Sequence, residues 1–233
     1  MSNPYFRFKQ FTVYHDLCAM KVGVDGVLLG AWADCRNIQR ALDVGTGSGL
    51  IALMLAQRSN ACIHAIDRDE NACKQAEINF NNSPFHSRLS IESVAFQDFS
   101  SPVRYDLIVS NPPYFAHSLK SPEMNRSLAR HQEYLPFEVL IKKSASLINP
   151  QGKAAFILPF DRWEKLHALA VENELHLCRK TLVSSLQNHP PKRILLEYSH
   201  INPIATEENH FYIGKSKQTY SDEYRTLTEE FYL

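Results

Sequence analysis

Arg40-Ala41-Leu42-Asp43-Val44-Gly45-Thr46-Gly47-Ser48-Gly49-Leu50-Ile51-Ala52-Leu53-Met54-Leu55-Ala56 decides the fold. A short apolar run ends in an acid, three glycines alternate with small polar residues, and a helix-length apolar segment follows at once. Alternating glycines let the backbone take conformations, and approach a ligand, where side chains would interfere. The spacing is GxGxG and not the GxGxxG dinucleotide fingerprint, and no Walker lysine or phosphate-binding serine follows it. The loop therefore reads as a nucleotide-type site whose guest is not a phosphate. Gly45, Gly47 and Gly49 would shape it. Asp43, at the strand end, would favour a ligand bearing positive charge, as the methionine part of S-adenosyl-L-methionine does.

Outward from this loop, apolar runs alternate with amphipathic segments, the pattern of a mostly parallel sheet with helices on both faces. The runs Arg40 to Gly45, Cys62 to Asp67, Leu89 to Ala95, Tyr105 to Ser110, Gly152 to Leu158, Leu175 to Ser184 and Ile194 to Tyr198 predict seven strands, the last two antiparallel across a short connection. Helices are expected over 49–57, 70–80, 137–147 and 163–172. Residues 1–39 read as an amino-terminal extension or lid with a short helix over 26–32, and residues 40–233 as the ligand-binding domain, one domain overall. Residues 115–135 and the stretch after Pro203 fall outside the alternation.

Composition narrows the class. The chain has 233 residues with 44% hydrophobic and 21% charged, as for a globular domain. Twenty-five basic residues balance 25 acidic ones, so any nucleic-acid contact must be local and not global. Five cysteines without CxxC spacing indicate neither a disulfide framework nor a zinc cluster, and the histidines show no metal spacing, so no metal is expected. No signal peptide or apolar span is evident, so a cytoplasmic location without membrane contact is expected.

Asp67 ends the second strand where doubly wound folds place an acid on ribose hydroxyls. Asp69 reads as the cap of the next helix. After the third strand, Asp98 and Phe99 admit two readings: a carboxylate for an adenine amino group with a ring against the base, or a surface acid and a core phenylalanine.

The run Tyr105 to Ser110 leads into Asn111-Pro112-Pro113-Tyr114. Two successive prolines remove backbone donors and leave carbonyls free. An exocyclic amine is a poor nucleophile because its lone pair is delocalised. Hydrogen bonds from its NH2 to the Asn111 side-chain oxygen and the Pro112 carbonyl would pull the nitrogen toward tetrahedral geometry, while Tyr114 stacks on the base. No cysteine follows a proline, which disfavours attack at a pyrimidine carbon.

These residues resemble the class I methyltransferases with a (D/N/S)PP(Y/F) motif. Phe8-Lys9-Gln10-Phe11, Cys18 to Trp32, Ser48 to Arg58, Ser110 to Tyr114, Arg193 to Glu197, Tyr220 to Tyr224 and Phe231-Tyr232-Leu233 are similar to the bacterial tRNA(Val) adenine-N6 methyltransferases, across essentially the whole chain. The resemblance implies the class I fold, S-adenosyl-L-methionine as cofactor, and methylation of the adenine immediately 3′ of the anticodon, position 37, in tRNA(Val), with no obligate protein partner evident. It implies that Lys21, Asp25 and Gly26 help close the segment 21–26 over the cofactor, where the residues alone also read as a solvated pair near a turn. One departure is Asp67, often glutamate in that family. Candidate phosphate contacts are Lys120, Arg126, Arg130, Lys192 and Arg193. The alternative substrates are the glutamine of peptide-chain release factors, or an amino group of another RNA or DNA.

Overall fold

The computed structural model describes residues 3–18, 20–113, 135–216 and 218–232. Strand β1 (Tyr5–Arg7) and strand β2 (Thr12–Tyr14) form an antiparallel hairpin that precedes helix α1 (Val24–Trp32). The core then alternates: β3 (Arg40–Val44), α2 (Leu50–Arg58), β4 (Cys62–Asp67), α3 (Glu70–Asn81), β5 (Leu89–Ser93) and β6 (Tyr105–Ser110). After it come α4 (Phe137–Leu147), β7 (Ile148–Pro159), α5 (Trp163–Glu172), β8 (His176–Leu186) and β9 (Arg193–Ser199). Strands β10 (Glu207–Ser216) and β11 (Thr219–Tyr220) and helix α6 (Asp222–Thr228) end the chain.

The sheet has nine strands in the order β11-β10-β8-β9-β7-β6-β3-β4-β5. The seven expected strands are β3 to β9, and β10 and β11 correct the count. Strand β9 runs antiparallel to both β7 and β8, whereas β3 to β7 pair in parallel. Strand β10 escaped the sequence reading because its first residues, Glu207-Glu208-Asn209-His210, are exposed at the margin and show no apolar alternation; pairing with β8 defines it.

Period-two alternation splits the core between the two faces of the sheet. Ala41, Leu107, Val109, Ala155 and Ile157 face α1 and α2, while Leu42, Val44, Ile108, Phe156 and Leu158 face α4 and α5. Helix α1 crosses α2 closely because Gly26 and Gly30 lie one turn apart. A Cβ on Gly26 would sit 3.0 Å from Leu50 Cδ2, and one on Gly30 2.7 Å from Met54 Sδ. Gly26, implied above as part of the cofactor closure, is thus a helix-crossing residue.

The amino-terminal segment is fastened to the domain. Asn79, fully buried on α3, accepts from Tyr14 N at 2.9 Å and donates to Tyr14 O and Ser48 O, each at 2.8 Å. Gln75, one turn earlier, accepts from Leu17 N at 2.9 Å. No helix among the described residues is long and apolar enough to cross a membrane.

Candidate active site

The register brings the strand ends level: Val44 pairs with Ile66 on one side and Ser110 on the other. Gly45 and Thr46 both donate to the Ile66 carbonyl, at 2.9 and 3.0 Å, so the glycine loop bends over the end of β4. Gly45, Gly47 and Gly49 all take positive φ, at 72°, 57° and 81°, the left-handed region that costs a side-chain-bearing residue roughly 1–2 kcal/mol. Their surroundings differ. A Cβ on Gly45 or Gly47 would meet nothing within 4 Å, whereas one on Gly49 would lie 2.5 Å from Phe80 Cε1. Gly49 permits the loop to pack on α3; Gly45 and Gly47 face open space.

Asp43 lies on the α2 side of β3, fully buried. Its Oδ2 accepts from Thr46 Oγ1 at 2.6 Å and from Ala52 N at 3.2 Å, which ties strand, loop and helix together. Its Oδ1 is buried with no hydrogen-bond partner among the described residues. Burial pushes the carboxyl up to about 7, against the hydrogen bonds from Thr46 and Ala52. An unpartnered buried carboxylate oxygen beside a loop with room over Gly45 and Gly47 fits a ligand with a cationic end, as S-adenosyl-L-methionine has.

Asp67 accepts from Gly47 N at 2.8 Å through Oδ2 and from Asp69 N at 3.0 Å through Oδ1. Burial raises its pKa. The acid expected on the ribose thus also grips the glycine loop, and a carboxylate's remaining lone pairs leave acceptor capacity. Asp69 caps α3 as expected, accepting from Asn71 N at 2.9 Å.

Asn111 is half-buried and Pro112 buried at the end of β6, beside the glycine loop. Ser110 Oγ donates to the Val44 carbonyl at 2.8 Å, pinning the two strand ends together. Tyr114, Lys120, Arg126 and Arg130 lie outside the described residues.

Of the two readings at Asp98 and Phe99, the structure takes the core one for the ring. Phe99 is 3% exposed, 5.4 Å from the His64 ring and 6.4 Å from that of Phe96. The cause is a helical turn: Asp98 N and Phe99 N both donate to Ala95 O, so Phe96 and Phe99 share the inner side while Gln97 and Asp98 are exposed.

Lys21 is exposed, and Asp25 is half-buried and ion-paired with Arg193 at 2.7 Å. The structure thereby joins a residue expected at the cofactor to one expected on RNA. Lys192 is exposed beside Arg193, and its carbonyl accepts from Phe160 N at 3.1 Å. Sequence reasoning missed Thr46, Asn79, Gln75 and Ser110. The signal for the two amides was their spacing of four on the face of α3 that carries Ala72, Ala76 and Phe80 into the core. Among the described residues no group of three His, Cys, Asp or Glu side chains is placed to hold a metal ion.

Comparison with known proteins agrees with this geometry. The family model "Methyltransferase small domain" matches residues 27–156. The tRNA1(Val) (adenine(37)-N6)-methyltransferase of Parabacteroides distasonis is 48% identical, covering 100% of this chain and 99% of its own. The protein of that name from Trichodesmium erythraeum is 40% identical, at 100% and 99% coverage. Among solved structures, a predicted O-methyltransferase from Agrobacterium tumefaciens superposes with a TM-score of 0.69 at 16% identity, covering 89% of this chain and 96% of that one. A putative RNA methyltransferase from Pyrococcus horikoshii gives 0.54 at 14% identity, with coverage of 75% and 80%. Those two structures share the fold alone. The chain belongs to the methyltransferase small domain family and, within it, to the group formed by its full-length tRNA1(Val) (adenine(37)-N6)-methyltransferase relatives.

Proposed function

We propose that this protein transfers a methyl group from S-adenosyl-L-methionine to the N6 amino nitrogen of adenine 37 in tRNA(Val). The observation that carries the reading is the level arrangement of the glycine loop and the Asn111-Pro112 turn at adjacent strand ends, Val44 beside Ser110, in a chain whose full-length relatives bear that name. The bound cofactor supplies an electrophilic methyl group on a sulfonium sulfur. The chain's own residues do the rest. Gly45 and Gly47 leave room for the cofactor, Asp43 faces its cationic end, and Asp67 accepts from the ribose while holding Gly47. Asn111 and the Pro112 carbonyl accept the two N–H bonds of the amine, so that its lone pair faces the methyl, and Tyr114 holds the base. Catalysis is alignment and electrostatics, with no covalent enzyme intermediate. Asp98 is exposed where it could meet the adenine amino group of the cofactor, and the segment 21–26 closes the site.

The test is methyl transfer from labelled cofactor to unmodified tRNA(Val), with the product mapped by mass spectrometry. Label in N6-methyladenosine at position 37, lost by at least about a hundredfold in Asn111→Ala, is the expected result. Label absent from tRNA but present on a release-factor glutamine would overturn it.

A further inference from the structure

The two ends of the chain meet at a second cleft of about 640 Å³, within the range of roughly 300–1,000 Å³ that holds small organic ligands. Phe6, Arg7 and Lys9 of the amino-terminal hairpin form one wall, and Tyr220, Arg225 and Tyr232 of the carboxyl-terminal segment face them. No residue of the glycine loop, nor Asp67 or Asn111, lines it. One main-chain and one side-chain bond hold the walls together: Lys9 N donates to Phe231 O at 2.8 Å and Lys9 Nζ to Glu229 O at 2.5 Å.

Two properties of this cleft are not explained by joining the termini. The first is its run of rings. Phe6 lies 5.8 Å from Tyr232, Tyr232 lies 6.1 Å from Tyr224, and Tyr224 stacks on Tyr220 at 4.8 Å. Phe8, Tyr224 and Phe231, each 1% exposed, do the structural packing, whereas Phe6 and Tyr220 stay 37% and 55% exposed. The second property is charge. Arg7 and Arg225 form no ion pair among the described residues. Asp222, the acid one turn before Arg225, is engaged by Lys215 at 2.6 Å. Arg7, Lys9 and Arg225 face a single lining carboxylate, Glu229.

Exposed rings beside unpaired guanidinium groups suit an unpaired nucleotide, its base stacked and its phosphate on arginine. In a chain of zero net charge, RNA contact has to come from such local patches. The geometry points to this cleft as a second contact for the substrate RNA, remote from the methylated base, with an unpaired base against Tyr220 and Phe6 and a phosphate on Arg7 and Arg225. The assignment rests on the proposed RNA substrate.

The test is binding of labelled, unmodified tRNA(Val) to the full chain at several salt concentrations, for the native protein, Arg7→Ala/Arg225→Ala and Tyr220→Ala. The double variant should weaken tRNA binding about tenfold and reduce the salt slope by about 0.7, the contribution of one phosphate contact on an unpaired strand. Tyr220→Ala should weaken binding at least about fivefold with the slope unchanged. S-adenosyl-L-methionine affinity should stay the same in all three. Unchanged tRNA affinity and slope in the double variant would overturn the inference. So would adenosine monophosphate binding that the double variant loses while tRNA affinity holds, because the cleft would then serve a free nucleotide. Native protein that binds tRNA but does not methylate it refutes the proposed function alone, and the variant comparison still decides the cleft. Native protein that does not bind tRNA overturns both.

Discussion

Arg193 donates from Nε to Asp25 Oδ2 over 2.7 Å, joining the first turn of α1 to the first residue of β9. Arg193 pairs with Pro159 at the end of β7, so the link lies on the strand-end edge that carries the glycine loop. With side chains 35% and 27% exposed, the pair contributes modestly to stability, about 1 kcal/mol or less. Its consequence is positional, because it anchors the segment 21–26. Asp25→Ala and Arg193→Ala should each raise KM for S-adenosyl-L-methionine about three- to tenfold, with kcat changed less than about twofold at saturating cofactor. The double variant should be no worse than the poorer single one, since one contact is lost once. Initial rates with each substrate varied in turn check this. A rise in the tRNA KM confined to Arg193→Ala would instead assign Arg193 to RNA.

Gly47 and Gly49 both take positive φ but have opposite surroundings, so the same substitution should fail in different ways. Gly49→Ala puts a methyl group 2.5 Å from Phe80 Cε1 as well as straining φ, and should lower stability by about 3 kcal/mol or more. Gly47→Ala meets no protein atom and should cost only about 1–2 kcal/mol. Its methyl group enters the open space of the loop, however, and should weaken cofactor binding at least about tenfold. Thermal melts and calorimetric titration of the two variants separate the effects. Equal loss of cofactor affinity at equal stability would show that both glycines serve the backbone alone.

The positions in the fold of the glycine loop, Asp67, Asp69 and Asn111-Pro112 were legible in the sequence because backbone chemistry fixes them locally. Positive φ favours glycine, a capping acid serves its own helix, and a buried parallel strand reads as an apolar run. Phe99 was not, because its direction depends on a single helical turn over 95–99 that leaves no periodic trace. Gly26 has a further role in a close helix crossing, shared with Gly30 four residues on, that the sequence reading does not contain. Strands β1 and β2 pair with each other but, at three residues each, are too short to show an alternation, and the polar margin strand β10 is defined by pairing with β8, which local pattern does not contain.

Asn79 shows what that long-range information does. One buried amide satisfies both main-chain groups of Tyr14 and the carbonyl of Ser48, so the amino-terminal segment and the glycine loop share a clamp. Asn79→Leu, with the same number and branching of side-chain heavy atoms, leaves one buried and two part-buried main-chain groups without this partner and should cost about 3 kcal/mol. It should also release the segment before α1, making it the first site of limited proteolysis and raising KM for the cofactor more than it lowers kcat. Asn79→Asp should behave similarly, because a carboxylate accepts from Tyr14 N but repels the two carbonyls. Native protease resistance with a native cofactor KM in both variants would refute the clamp.

Asp43 gives the site a pH dependence whose sign follows from its burial. Its carboxyl titrates near 7 in the folded protein, against the ordinary value of 3.8 for an exposed aspartate. Between those values the folded chain holds a proton that the unfolded chain has lost. The stabilising contribution is therefore complete below about pH 4 and is lost as pH rises through about 7. A cationic group brought to the unpartnered Oδ1 favours the ionised carboxylate, so binding near pH 6.5 should release up to one proton. Calorimetric titration with S-adenosyl-L-methionine in buffers of different ionisation enthalpy measures that release directly. Native protein should release a substantial fraction of a proton at pH 6.5 and bind more tightly as pH rises to 8, after subtraction of the ligand's own titration measured with Asp43→Asn. That variant, with no carboxyl at position 43, should release correspondingly less than native protein before any subtraction and lack the extra pH dependence. It should also unfold with a flatter stability profile between pH 5 and 8. Identical proton release in native protein and Asp43→Asn would mean that Asp43 serves only Thr46 and Ala52, as a brace for the loop and not as the cofactor's countercharge.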